Sequence, residues 1–221
     1  MIPRYSRPEM AAVWSDENRY QQWLKVELAA LEGWQKIGLL PEGTVKTIRE
    51  QVRIDPARIA EIEKTTQHDV IAFVEQVTST LGQAGRFFHF GLTSSDILDT
   101  ATALQLRQAG FLLLKDLNAL QKVIREKAWQ YRHLPMIGRT HGIHAEPITL
   151  GFKLAGWYFE VKRNISRLKN AIAEISVGKL SGAVGTYSNI PPEVEQYACE
   201  CLQLKPESFS TQIIPRDRHA V

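Results

Sequence analysis

Tyr20, Trp23, Leu24, Leu28, Leu31 and Trp34 step by three and four, with mostly polar residues between them. That period lays one apolar stripe along a helix. Ser15 stands where an N-cap belongs, Asp16 and Glu17 fall in the first turn, and Gly38 suits the end. A short helix is expected after Pro41. Another is expected in "DPARIAEIEK", with Asp55 as cap and Pro56 at the first helical position. The run "DVIAFVEQVTSTLG" predicts one more, with Asp69 in its first turn and Gly82 past its end.

From "GLTSSD" onward the pattern lengthens. Between Asp96 and Tyr131 there is no proline, and Leu113, Leu117, Leu120, Ile124 and Ala128 keep the helical step. Unbroken, that helix would be about 36 residues and roughly 54 Å long. Gly110 could kink it, and Pro135 ends it. A second long helix is expected from Pro147 to about Val177, stopped at Gly178. Its apolar positions are Leu150, Leu154, Trp157, Val161, Ile165, Leu168, Ile172 and Ile175. Helices of this length cannot hide their apolar faces alone. They call for partner helices from the rest of the chain or from other subunits. "KLSGAVGTYSNIPP" reads as a loop or a short hairpin, and "PPEVEQYACECLQL" as a further short helix. "RDRHAV" carries no C-cap signal, as if a helix were beginning. The expected class is all-α: a small helical N-terminal domain over residues 1–92, then the first part of a long-helix bundle over 93–221.

Composition narrows the function classes. The 221 residues are 44% hydrophobic and 23% charged, enough for a packed core. Twenty-seven basic and 24 acidic residues give a net charge of +3. That balance offers no basic stripe for nucleic acid, though a small anion needs only a few local cations. Cys199 and Cys201 have no second pair with which to build a zinc site, and read as structural thiols in a reducing compartment. No stretch approaches the roughly 20 apolar residues of a membrane span, and "MIPRYSRPEM" has no signal-type apolar run. A cytoplasmic location is expected.

Candidate chemistry lies at the junctions between elements. His68, His89 and His141 are expected where loops enter helices. A helix start attracts anions and favours neutral imidazole, which suits proton transfer near neutral pH. In "GRTHGIHAEPITLG", glycines permit close backbone approach, and Glu146 and Pro147 mark a helix start. His141 and His144 lack a nearby third ligand for a metal. Proton transfer and plain loop histidines both remain open. In "TTQHDV", Thr66 or Asp69 could cap the helix with His68 incidental, or His68 could be functional. In "GLTSSD", Thr93, Ser94 and Ser95 form either an ordinary N-cap or a hydroxyl-lined anion hole. No G-x-S-x-G elbow, P-loop or dinucleotide fingerprint is present.

Taken together, "TTQHDVIAFV", "FHFGLTSSDILDTA" and "GRTHGIHAEPITLGFKLAGW", with "RYSRPEM" and "STQIIPRDRHA" at the two ends, resemble the adenylosuccinate lyases of the fumarase/aspartase superfamily. The resemblance runs along essentially the whole chain. It implies a mostly helical homotetramer with sites shared between subunits. It also implies β-elimination of fumarate from adenylosuccinate, and from the succinyl-carboxamide ribotide of purine synthesis. Neither a metal nor an organic cofactor is implied, nor a nucleic-acid or membrane partner.

By the resemblance, His141 is the general acid and His68 assists substrate positioning near it, with Gln67 and Asp69 beside His68. Thr93, Ser94 and Gln212 hold the succinyl group. Arg4 and Tyr5 meet the nucleotide phosphate, where a guanidinium fork suits phosphate oxygens. His89 is a further substrate-side histidine. The second half of the family pattern, with its mobile loop carrying the proposed base serine and a lysine, is missing here. The chain alone is therefore expected to be inactive. Two other readings stay open: a lyase releasing fumarate from another amino-succinyl substrate such as argininosuccinate, and a non-catalytic helical scaffold.

Overall fold

A computed structural model describes residues 2–220. The chain begins with a short 3-10 turn, Pro3–Tyr5, followed by α1 (Pro8–Val13) and α2 (Asp16–Lys36). Then come α3 (Thr44–Gln51), α4 (Pro56–Thr66) and α5 (Asp69–Thr78). A 3-10 stretch, Gly82–Phe87, leads to the long helix α6 (Ser94–Gln130). A hairpin of β1 (Pro135–Thr140) and β2 (Ile143–Thr149) separates α6 from α7 (Leu150–Ile175). The last elements are β3 (Val177–Gly178), α8 (Pro192–Cys201), β4 (Lys205–Pro206) and a 3-10 turn at Arg216–His219. Helices dominate, as the periodicity predicts.

The local signals act as read. Ser15 Oγ accepts the Asn18 N–H at 3.2 Å, and Asp55 Oδ1 accepts the Arg58 N–H at 3.1 Å. Helix α6 runs unbroken through Gly110. There the missing side chain serves packing, because a Cβ would sit 2.6 Å from Ile172 Cγ1.

The segment before α7 departs from expectation. The stretch before Pro147, which carries no helical period, folds with the residues that follow it into an antiparallel hairpin, and α7 starts at Leu150 rather than Pro147. Pro147 lies in β2 opposite Ile137, next to the irregularity between Ile137 and Arg139. A proline is tolerated in such a two-stranded ribbon because it needs no ladder hydrogen bond on its open side. The turn is His141-Gly142, with φ of 52° and 76°. Two successive positive φ values are what a tight type I′ hairpin turn requires.

The chain forms two compact units. One takes residues up to Gln108 and from Glu174 onward; the other is Ala109–Ala173. The core of the first unit gathers Tyr20, Trp23 and Leu31 of α2, Phe73 of α5, Ile97 and Ala101 of α6, and Val194 of α8. Trp23 meets Phe73 edge-on at 5.4 Å between ring centres. Full burial of a side chain such as Phe73 or Leu31 contributes about 1.5–3 kcal/mol. In the second unit the end of α6 and the length of α7 run antiparallel. Gly110 faces Ile172 at one end, and Gly151 faces Ala128 and Arg132 at the other. Many large apolar side chains of this unit stay exposed, among them Trp129 at 70% and Phe152 at 72%.

Candidate functional site

Two helix starts meet in the first unit. His68 is the N-cap of α5: its Nδ1 accepts the Ile71 N–H at 3.4 Å. In the tautomer that accepts this bond, Nε2 carries the ring proton and faces Ser94 Oγ at 3.3 Å, while Asp69 Oδ1 lies 3.4 Å from Nδ1. The cap is thus the histidine itself, not Thr66 or Asp69. Thr66 Oγ1 is occupied by the backbone of His68, at 3.2 Å from its carbonyl oxygen and 3.4 Å from its N. The Asp69 carboxylate accepts the Val70 N–H at 2.7 Å. Gln67 is held in a left-handed conformation at the end of α4, with its amide donating to Lys64 O at 2.8 Å.

Ser94 is the first residue of α6, and Thr93 precedes it. The Thr93 N–H donates to Asp96 Oδ2 at 2.9 Å, closing the first turn. Asp96 is fully buried and pairs with a fully buried Lys179, Nζ to Oδ1 at 2.5 Å. Lys179 Nζ also donates to Gly182 O at 2.7 Å, and the Gly182 N–H reaches Asp96 Oδ2 at 3.3 Å. The turn that presents Thr93 and Ser94 is therefore anchored from beneath by an ion pair. A buried pair of this kind is supported by its further hydrogen bonds, from Nζ to Gly182 O and from two backbone N–H groups to Asp96 Oδ2.

His89 stands in the loop before this turn at φ 62°. Its backbone N–H donates to Glu27 Oε2 at 3.1 Å, and its Nδ1 meets Glu27 Oε1 at 2.6 Å. Burial of the ring opposes its charge, but the Glu27 hydrogen bond and charge, with Asp96 behind them, outweigh it. The pKa rises above the ordinary 6.5. Gly91, at φ 75°, lets the loop pass within contact of Asn189 O, where a Cβ would lie at 2.5 Å.

The other expected residues lie elsewhere. His141 is exposed on the hairpin turn of the second unit, not at a helix start, so no helix dipole acts on it as the sequence suggested. His144 is exposed on β2 opposite Arg139. Arg4 and Tyr5 are exposed in the first 3-10 turn, where Arg4 Nη2 donates to Tyr5 Oη at 2.9 Å. Gln212 is exposed, two residues before Ile214, whose N–H is tied to Asp99 Oδ2 at 2.8 Å. Among the described residues, Arg4, Tyr5 and Gln212 make no hydrogen bond with the His68–Ser94 pair. Cys199 is buried in the core and its thiol is pushed well above the usual range by burial, which fits a structural role.

Sequence reading missed Glu27 and Lys179. For Glu27 a signal existed: it falls at the helical step between Trp23 and Leu31, a carboxylate on an otherwise apolar stripe. Lys179 had none, since its partner lies 83 residues away.

The chain matches known proteins along its whole length. It is 55% identical over 220 residues to an adenylosuccinate lyase of Bacillus subtilis (strain 168), and 52% to one of Thermotoga maritima. Each alignment covers 100% of this chain and 51% of the relative, so the chain spans about half the length of these curated relatives. Among solved structures, a fumarate lyase from Mesorhizobium sp. BNC1 superposes with a TM-score of 0.89 at 28% identity, covering 98% of this chain and 53% of that one. A 3-carboxy-cis,cis-muconate lactonizing enzyme from Pseudomonas putida gives 0.87 at 31% identity, covering 97% and 51%. A family model described as "Lyase" matches residues 4–221, and the chain belongs to that family.

Proposed function

We propose that this chain forms the first half of an adenylosuccinate lyase, working as a cytoplasmic homotetramer with sites shared between subunits. The observation that carries the reading is the 3.3 Å approach of His68 Nε2 to Ser94 Oγ. It joins the "TTQHDV" and "GLTSSD" segments, 26 residues apart, into one polar surface at two helix starts. The identity to named adenylosuccinate lyases supports the same reading. A division into an N-terminal domain to residue 92 and a bundle domain beyond it belongs to the same proposal.

The reaction is a β-elimination. A base takes a proton from the carbon beside a carboxylate, the carbon–nitrogen bond breaks, and an acid protonates the departing nitrogen. AMP and fumarate leave. The ribotide substrate reacts in the same way. Negative charge grows on the succinyl group as the proton departs, so hydrogen-bond donors fixed there lower the barrier. Thr93, Ser94 and Gln212 are assigned to the succinyl carboxylates, and Arg4 and Tyr5 to the phosphate. His141 is assigned as the acid. His68 orients the reacting centre through its Nε2 proton, with Gln67 and Asp69 framing it. The base is assigned outside this chain. The chemistry calls for no metal and no organic cofactor.

Release of fumarate from adenylosuccinate by the intact protein is the direct test. His141→Ala is expected to lower turnover by about 10² to 10⁴. Wild-type turnover in that variant would remove His141 from the role. Cleavage of argininosuccinate in preference would move the substrate assignment. Failure to bind AMP and adenylosuccinate would leave a scaffold.

A further inference from the structure

We propose that Glu27 is a positioning residue that holds the His89 ring as a fixed cation, so that its outer nitrogen is presented to an oxyanion of the substrate, a carboxylate or a phosphate. The inference rests on the reading of His89 as a substrate-side residue.

Glu27 sits at 0% exposure on the apolar face of α2. A carboxylate is costly there unless it is paired and hydrogen-bonded. Both of its oxygens are spent on one residue: Oε2 on the His89 backbone N–H, Oε1 on Nδ1. A two-point grip fixes the place of the loop and the rotation of the ring together. The loop is held at a second point by the same helix, through Trp34, whose indole N–H donates to Phe90 O at 3.1 Å. With Nδ1 engaged, Nε2 is the remaining ring donor, and it makes no hydrogen bond among the described residues. The side chain keeps 22% of its surface exposed, so the cation has an outlet.

The charged groups facing the ring are Glu27 from α2 and Asp96 from α6. Asp96 is itself bound by Lys179, which leaves Glu27 as the carboxylate in direct contact. A ring whose protonated form is favoured is less available as a base. Its use is binding, in contrast to His68, whose Nδ1 accepts a hydrogen bond from the Ile71 N–H. The sign of the pH dependence follows. Oxyanion affinity is full below the raised pKa of His89 and falls as the pH climbs through it.

The test has two parts on the intact protein. NMR titration of the histidine rings, with His89 assigned by substitution, is expected to place His89 above the ordinary value. Glu27→Gln, nearly equal in shape, is expected to lower it, because the hydrogen bond and the charge of Glu27 are what raise it. Calorimetry with fumarate and with AMP as separate probes tells a carboxylate from a phosphate subsite. For one probe, the pH of half-lost affinity should move down with the His89 titration in Glu27→Gln. A purely structural carboxylate would weaken binding equally at every pH.

A wild-type His89 that titrates at or below the ordinary value overturns the proposal without any variant. Probe affinity that ignores pH and Glu27→Gln also overturns it. A protein that fails to cleave adenylosuccinate while keeping the linked titration and probe binding would overturn the lyase reading and leave this one standing.

Discussion

Lys179 and Asp96 are both fully buried and form a salt bridge with each other. Removing the lysine would strand a carboxylate that also closes the first turn of α6 through the Thr93 N–H. Lys179→Met is expected to cost about 3–5 kcal/mol, the usual loss when one member of a buried pair is deleted. Asp96→Asn added to it removes the orphan charge, so the double variant should be more stable than the single lysine variant. Urea unfolding followed by tryptophan fluorescence measures both. A double variant whose loss equals the sum of the two single losses would show that the pair is not coupled. The same residue governs how Thr93 and Ser94 are presented, so its effect on substrate affinity should track its effect on the turn.

The elements show what could be read in the sequence and what could not. Helices α2, α4 and α5 were legible because each has a sustained period and a cap within the same short stretch. His68 and Ser94 were legible as polar residues at helix starts, and their meeting was not, since a contact across 26 residues leaves no local trace. The hairpin was misread because Pro147 looks like a helix opener, and His-Gly is a less familiar turn pair than Asn-Gly. Glycines in α7 give a measurable contrast. A Cβ on Gly151 would lie 2.4 Å from Ala128 O and 2.5 Å from Arg132 Cα, both backbone atoms that cannot step aside. One on Gly156 would meet nothing within 4 Å. Gly151→Ala should therefore destabilise α7 against α6 by more than ~1 kcal/mol, within the 1–3 kcal/mol typical of overpacking. Gly156→Ala should stabilise this chain by about 0.5–1 kcal/mol, because alanine gives up less backbone entropy in a helix. Thermal unfolding of the two variants checks the pair. Equal effects would mean that the α6–α7 packing is not as close as described.

At the scale of the whole molecule, the two units differ in how they treat apolar surface. The first buries Tyr20, Trp23, Phe73 and Phe88 against one another. The second leaves Phe111, Leu120, Val123, Trp157 and Phe159 about half exposed along two helices. Isolated exposed leucines need no explanation, but rows of them on a helix pair mark an association face. Leu120 and Val123 lie three apart on α6, so they share one face of it. If copies of the chain pack through this face, the intact protein should associate at concentrations where sedimentation velocity can follow it. Leu120→Glu together with Val123→Glu would then place two carboxylates where water is expelled. Weakening by at least tenfold is expected, which is about 1.4 kcal/mol. The first unit should keep its fold in that variant, since neither position enters its core. A monomer at all concentrations, or an association indifferent to both substitutions, would rule out this face as the contact between copies.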